Sequence, residues 1–232
     1  MYEQHIIVDF EMNPVAKKNG EVRKHLSNEI IEIGAVKLDS NNQVVDRFSC
    51  LIKPKYNEDI ASFITGLTGI KTGSVKKAYD LETALNKFAL WIGEGKTRIY
   101  SWSDTDLRQL QSECSFKNLS IPANMRRWMD FQVVYPRVMD LDRSKKMSLT
   151  DAAQWYGVFV DKKKAHRALY DAEITAELVI PLLTGEYKRQ AAILKPSREV
   201  CTNTVFTLGD ACGDVFRQFL AMSTNNEVQF AR

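Results

Sequence analysis

From residue 5 the chain runs HIIVDFEMNP, with Ile6, Ile7, Val8 and Phe10 crowded together and Pro14 closing the stretch. β-Branched and aromatic residues at that density predict a buried strand over 5–12. The polar, basic run NPVAKKNGEVRKHLSN that follows is expected to be a connection outside the core. EIIEIGAVKLD at 29–39 and VVDRFSCLIKP at 44–54 read as two more strands, so the sheet should begin as an antiparallel meander. FITGLTGIKTGS carries turn residues and predicts a short helical turn and loop. Asp80 is placed to cap a helix from Leu81 to Ile92 whose inner face is Leu81, Leu85, Phe88 and Ile92. RIYSW at 98–102 reads as a strand, followed by a helix carrying Leu107, Leu110 and Cys114. WMDFQVVYP at 128–136 predicts a strand entering a helix. SLTDAAQWYGV predicts a helix that starts near Ser148 or Thr150 and stops at Gly157, and 168–183 forms the last helix of the main body. Strands first, then strands alternating with helices, predict an α/β fold with a mixed sheet flanked by helices. Residues 1–185 are expected to form the domain and 186–232 an extension. Leu208, Cys212, Val215, Phe216, Phe219 and Leu220 would share one helical face there.

Composition narrows the class only modestly. The 232 residues suffice for one well-packed domain with an appendage, and a net charge of +3 is weak support for a nucleic-acid partner. Cys50, Cys114, Cys201 and Cys212 form no CxxC pair, which argues against a zinc site or disulfide framework and leads us to expect a cytoplasmic protein. No apolar run approaches the roughly 20 residues of a membrane helix, and the start lacks a signal-like pattern.

The chemistry gathers around acids. Positions i and i+2 of a strand face the same side, so Asp9 and Glu11 project together from a rigid element. Buried carboxylates need compensation, and a hard divalent cation would supply it. The alternative is a strand end whose acids are solvated or paired with Lys or Arg. Asp104 and Asp106 lie at the next strand-to-helix junction, where Ser103 or Asp104 reads also as an N-cap and Asp106 as a first-turn charge that complements the helix dipole. His166 and Asp171 open the late helix. Five helical positions are about 140° apart, so the pair converges only if His166 lies in the loop before the helix.

Taken in order, D-x-E on the first strand, an aspartate at a later junction and H-x4-D resemble the DEDDh 3′–5′ exonuclease family. IIVDFEM, EIIEIGAVKLD, FITGLTGI and the W-x3-D-L-x2-L pattern of Trp102, Asp106, Leu107 and Leu110 resemble its histone-mRNA-exonuclease-like and KapD-like branch. The resemblance implies a ribonuclease H-like fold with a five-stranded mixed sheet. It places the third acid at Asp106, leaving Asp104 as a cap and Glu173 and Glu177 as solvated charges. It also implies hydrolysis of a 3′-terminal phosphodiester with two divalent cations, Mg²⁺ or Mn²⁺, held by Asp9, Glu11, Asp106 and Asp171, with His166 as general base.

By the same resemblance Met12 and Leu67 would line the terminal-nucleotide pocket, although plain core packing explains them equally well. Single-stranded nucleic acid is the implied substrate, RNA or short oligonucleotides favoured. Lys162–Lys164, Arg126–Arg127 and Arg143–Lys146 are candidate phosphate contacts that read equally as solvated surface, and Trp102 and Trp128 are expected in the core. Two other readings stand: a DNA-proofreading subunit docking a polymerase, and a non-catalytic nucleic-acid-binding regulator. A protein partner or a homodimer through the tail is left open.

Overall fold

A computed structural model describes residues 2–141 and 146–187. The elements, in order, are β1 (Gln4–Pro14), α1 (Gly20–Arg23), β2 (Asn28–Leu38), β3 (Val44–Leu51), α2 (Ser62–Thr68), α3 (Thr72–Val75) and α4 (Leu81–Ile92). There follow β4 (Thr97–Ser101), α5 (Thr105–Lys117), β5 (Trp128–Asp130), α6 (Phe131–Val138), α7 (Leu149–Tyr156) and α8 (Ala168–Thr184). The sheet order is β3-β2-β1-β4-β5, with β1 antiparallel to β2 and parallel to β4. β2–β3 is antiparallel and β4–β5 parallel, giving the mixed five-stranded sheet flanked by helices that the sequence resemblance implies. Among the described residues no helix is long and apolar enough to cross a membrane. The amphipathic stretch at 208–222, the extension after Tyr187 and Arg143–Lys145 lie outside the described residues.

Period-two alternation in β1 splits the core into two layers. Ile6, Val8 and Phe10 join Leu81, Leu85, Phe88 and Ile92 of α4, and Leu110 and Cys114 of α5, on one face. Ile7 joins Val36 and Leu38 of β2, Phe131 and Tyr135 of α6, and Ala172, Ala176 and Val179 of α8 on the other. Trp102 lies in this second layer and Trp128 packs against the first, as expected of core residues. A third cluster of Ile31, Ile60, Ile64, Ile70 and Val75 seats α2 and α3.

Local signals explain most boundaries. Asp80 accepts from the Thr83 N–H at the start of α4, Ser148 from the Asp151 N–H at the start of α7, and left-handed Gly157 ends α7. Three expectations need correction. The 13–28 connection is partly core: β1 runs on to Pro14, α1 forms at Gly20–Arg23, and Val15 and Leu26 are buried. Asp104 occupies the N-cap place of α5 without capping it; its backbone is already right-handed helical, and its carboxylate pairs with Arg108 one turn on. The buried face of α5 is Asp106, Gln109, Leu110, Glu113 and Cys114, with Leu107 only partly covered, because polar partners on β1 and β2 take up the acids and Gln109.

Candidate active site

β1 outruns its parallel neighbour. Its register with β4 ends at the pair Ile7–Tyr100, while its register with β2 continues to Pro14. Beyond that point the Phe10 N–H is taken by the Asp106 carboxylate at 3.1 Å, so the first turn of α5 plugs the place where β4 stops. The site therefore forms past the C-terminal end of β4, where the order reverses between β2-β1 and β1-β4. Open α/β sheets bind ligands at such a position. This hydrogen bond gives a physical reason why Asp106, and not Asp104, is turned inward.

Residues opposite one another in an antiparallel ladder share a face. Asp9 lies opposite Gly34 and Glu11 opposite Glu32, so all four sit on the α8 side of the sheet. Immediately after Glu11 the register slips, with Met12 opposite Ile30 and Ile31 left over as a bulge. α8 crosses this face and delivers Asp171. Oxygen atoms of Asp9, Glu11 and Asp171 all lie within 4.8 Å of one another. Such a set of hard oxygen donors fits a divalent cation.

His166 lies in the loop before α8, exposed, with φ of 64°. Its backbone N–H donates to Asp171 Oδ2 at 3.2 Å. The H-x4-D spacing is thus closed by the main chain and not by the imidazole. Met12 is half-buried against the first apolar layer. Leu67 is 48% exposed, which removes core packing as its explanation. Lys162–Lys164 form an exposed turn just upstream of His166. Glu173, still partly exposed, forms a surface ion pair with Arg47 of β3 at 2.6 Å.

Electrostatics separate these acids from the others in the interior. Glu29 accepts from the Lys55, Tyr56 and Asn57 N–H groups and from Lys117, and Glu113 from the Ile30 N–H, Gln109 and Lys117. Those charges are compensated. No ion pair among the described residues reaches Asp9 or Glu11. Burial pushes the Asp9 carboxyl well above the usual carboxylate range, and Asp106, Asp171, Glu11 and Glu32 push it further. Burial raises Glu11 to about 8, helped by Asp171, Glu32 and Asp106 and opposed by Arg167. Burial raises Asp106 to about 7 against the pull of the Phe10 N–H, and burial also raises Asp171.

The sign of the resulting pH dependence follows directly. Between the ordinary carboxylate pKa and the raised folded values, the folded state holds protons that the unfolded chain has released, so stability falls as pH rises. The window for Glu11 and Asp106 runs from about 4 up to about 8 and 7 respectively. A divalent cation binds the ionised carboxylates, so its stabilising effect should grow across the same window. Thermal midpoints at about pH 5.5 and 8, with and without Mn²⁺, measure this. Expected are a lower metal-free midpoint at the higher pH and a larger Mn²⁺ increment there. A midpoint that responds to neither pH nor Mn²⁺ would contradict the acid cluster as a cation site.

Sequence reasoning missed Glu32 and Arg167. Glu32 is a buried acid inside an apolar strand, the same signal that marks Asp9, but its partner lies in a distant loop.

The model of the Exonuclease family (RNase T) matches residues 6–179. Among curated proteins, ERI1 exoribonuclease 2 of Homo sapiens is 28% identical over 86% of this chain and 30% of its own length. A DNA polymerase III PolC-type protein of Caldanaerobacter subterraneus is 32% identical over 68% of this chain and 11% of its own. The chain thus spans about a third of the length of the exoribonuclease relative and a small part of the polymerase. Among solved structures, the nuclease domain of 3′hExo, a DEDDh family member bound to rAMP, superposes with a TM-score of 0.69. It is 24% identical and covers 79% of this chain and 93% of that one. Exonuclease I of E. coli in complex with a dT13 oligonucleotide gives a TM-score of 0.61 at 14% identity, over 83% of this chain and 43% of that one. These likenesses establish the shared fold.

Proposed function

The chain belongs to the Exonuclease family, and on that premise we propose that it is a metal-dependent 3′–5′ exonuclease that releases nucleoside monophosphates from single-stranded nucleic acid, RNA or short oligonucleotides first. The observation that carries this reading is the convergence of Asp9, Glu11 and Asp171 within 4.8 Å, with no ion pair to Asp9 or Glu11 among the described residues. Asp9, Glu11 and Asp171, with Asp106 beside them, would hold two divalent cations, Mg²⁺ or Mn²⁺, which supply charge stabilisation of the phosphate and lower the pKa of attacking water.

The chain's own groups have distinct parts in this proposal. Asp9, whose ionisation Asp106, Asp171 and Glu11 all oppose, would by family resemblance contribute to holding both cations. Glu11 and Asp171 would help to hold one cation, and Asp106, tied to the Phe10 N–H, would help to hold the other. His166, exposed on its loop, accepts the proton of the attacking water through its imidazole. Met12 and Leu67 supply apolar contact to the terminal nucleotide. The exposure of Leu67, on a helix whose N-cap residue Ala61 donates its N–H to Asn13 Oδ1 of β1 at 2.9 Å, supports that assignment. The proposal includes a reducing, cytoplasmic setting, with which the free thiols Cys50 and Cys114 agree.

Preference for RNA is supported by relatives named as exoribonucleases. The 32% identity to a DNA polymerase III PolC-type protein favours the second reading, removal of 3′-terminal nucleotides from DNA beside a polymerase. Digestion of 5′-labelled single-stranded RNA and DNA with Mg²⁺ or Mn²⁺ tests both. A ladder that shortens from the 3′ end, faster on RNA, is expected. Faster digestion of DNA would favour the second reading, and nucleic-acid binding without any cleavage would leave a non-catalytic regulator.

A further inference from the structure

The start of α8 is held to the sheet by a strand that carries none of the five residues assigned above. Glu32 of β2 lies directly opposite Glu11 and is 1% exposed. Its carboxylate accepts from Arg167 Nε at 3.1 Å, from Arg167 Nη2 at 2.7 Å and from the Ala168 backbone N–H at 3.2 Å. One carboxylate thereby binds both the residue after His166 and the first N–H of the helix that carries Asp171. Two positions on, Gly34 lies opposite Asp9. A Cβ there would fall 2.0 Å from the Leu169 nitrogen and 2.1 Å from the Ala168 carbonyl carbon, so backbone crosses backbone at a place only glycine allows. Glu32 draws the helix start inward, and Gly34 sets how close it can come.

The loop needs such a hold. His166 has a left-handed backbone, which an L residue keeps only where its surroundings over-determine it. The Asp171 carboxylate fixes it from one side through the His166 N–H, and Arg167 fixes it from the other through Glu32. We infer that Glu32, with Gly34 beside it, is the positioning residue of the site: it sets the height and rotation of the first turn of α8, and so brings Asp171 onto Asp9 and Glu11 and presents His166 beside them. The inference rests on the exonuclease reading for its catalytic consequence. It also reassigns Arg167. With Nε and Nη2 committed to Glu32, Arg167 is the intermediary that transmits position to His166.

The test uses the full chain and compares Glu32→Ala, Glu32→Gln and Gly34→Ala with Glu29→Gln, an equally buried acid whose partners are the 55–57 backbone and Lys117. Three quantities are read: kcat and KM on a 5′-labelled oligonucleotide, Mn²⁺ affinity by electron paramagnetic resonance, and amide exchange over 166–172. For Glu32→Ala, kcat should fall about 10²-fold with KM nearly unchanged, the cost of a misplacement on the order of 1 Å. Mn²⁺ affinity should fall about tenfold, as for other groups that orient metal ligands. Amides at the start of α8 should lose protection. Glu32→Gln should show a smaller loss in all three, about tenfold in kcat, since its amide oxygen still accepts from Ala168 and Arg167 Nε while its NH2 cannot accept from Arg167 Nη2. This graded loss carries the test should the alanine variant not fold, and wild-type behaviour of Glu32→Gln would then overturn the inference. Gly34→Ala should reproduce the losses by displacing the same turn. Unchanged kcat, metal affinity and exchange in Glu32→Ala would overturn the inference, as would losses matched by Glu29→Gln. A raised KM with kcat kept would overturn it too, by making Arg167 a substrate contact. Should the wild type hydrolyse nothing with either metal, the exonuclease reading fails, while Mn²⁺ affinity and amide exchange still decide the role of Glu32.

Discussion

Asp9→Asn is expected to abolish turnover, by roughly 10³-fold or more, and at the same time to make the metal-free protein more heat-stable. Asp9 is the acid on which the others converge: Asp106, Asp171, Glu11 and Glu32 all oppose its ionisation, and burial opposes it most. A neutral amide of nearly the same shape removes that repulsion while keeping the strand and its packing. Each kcal/mol so recovered raises the midpoint by about 2–4 °C in a domain of this size. The gain should be largest above neutral pH, where the wild-type cluster is forced to ionise. Activity and stability therefore move in opposite directions, as expected where function stores strain in a site. Single-turnover cleavage of labelled RNA, read with thermal melting in the presence and absence of Mn²⁺, measures both. An Mn²⁺-induced rise as large in Asp9→Asn as in the wild type would remove Asp9 from the cation site.

The second large effect belongs to His166. His166→Ala is expected to lower kcat by about 10²–10⁴-fold, the usual range for loss of a general base, with Mn²⁺ affinity retained. The reason for the retention is structural. Asp171 is held by the backbone N–H of residue 166, which alanine also possesses, so the carboxylate keeps its place when the imidazole goes. Alanine is a poorer fit to the left-handed backbone at φ 64° than asparagine, which visits that region readily. His166→Asn is therefore the companion variant: the same loss of turnover, with the loop conformation preserved. Turnover in His166→Asn within a few-fold of wild type would refute the general-base role.

How far the sequence carries can be traced residue by residue. Asp9 and Glu11 stand out because an apolar strand should not contain two acids, and the helices at 81–92 and 148–157 announce their own ends through Asp80, Ser148 and Gly157. Those are local signals. The choice between Asp104 and Asp106 is different: by spacing alone the two are equivalent, and only family resemblance separated them. The structural reason is a hydrogen bond to Phe10, far away in the chain. Leu67 and Leu107 show the limit of periodicity. Each sits on a helix where apolar spacing suggests cover, yet Leu67 is open to solvent and Leu107 only half-covered. Glu32 carries the same local signal as Asp9, an acid inside an apolar strand, but its pairing with Arg167 is one no local pattern could reveal, because the two meet only when α8 crosses β2.

The unequal length of β1 and β4 has a further consequence, for how sequences of this kind can change. Which face a side chain takes along β1 is a matter of parity, and Ile7, Asp9 and Glu11 share theirs. Inserting or deleting one residue between Ile7 and Asp9 would turn both acids into the layer of Leu85 and Phe88 and bring Val8 or Phe10 to the catalytic face. The 39–43 connection, by contrast, lies outside β1, and a change of length there leaves the parity of Asp9 and Glu11 untouched. The extended end of β1 is thus a place where substitution is negotiable and length is not.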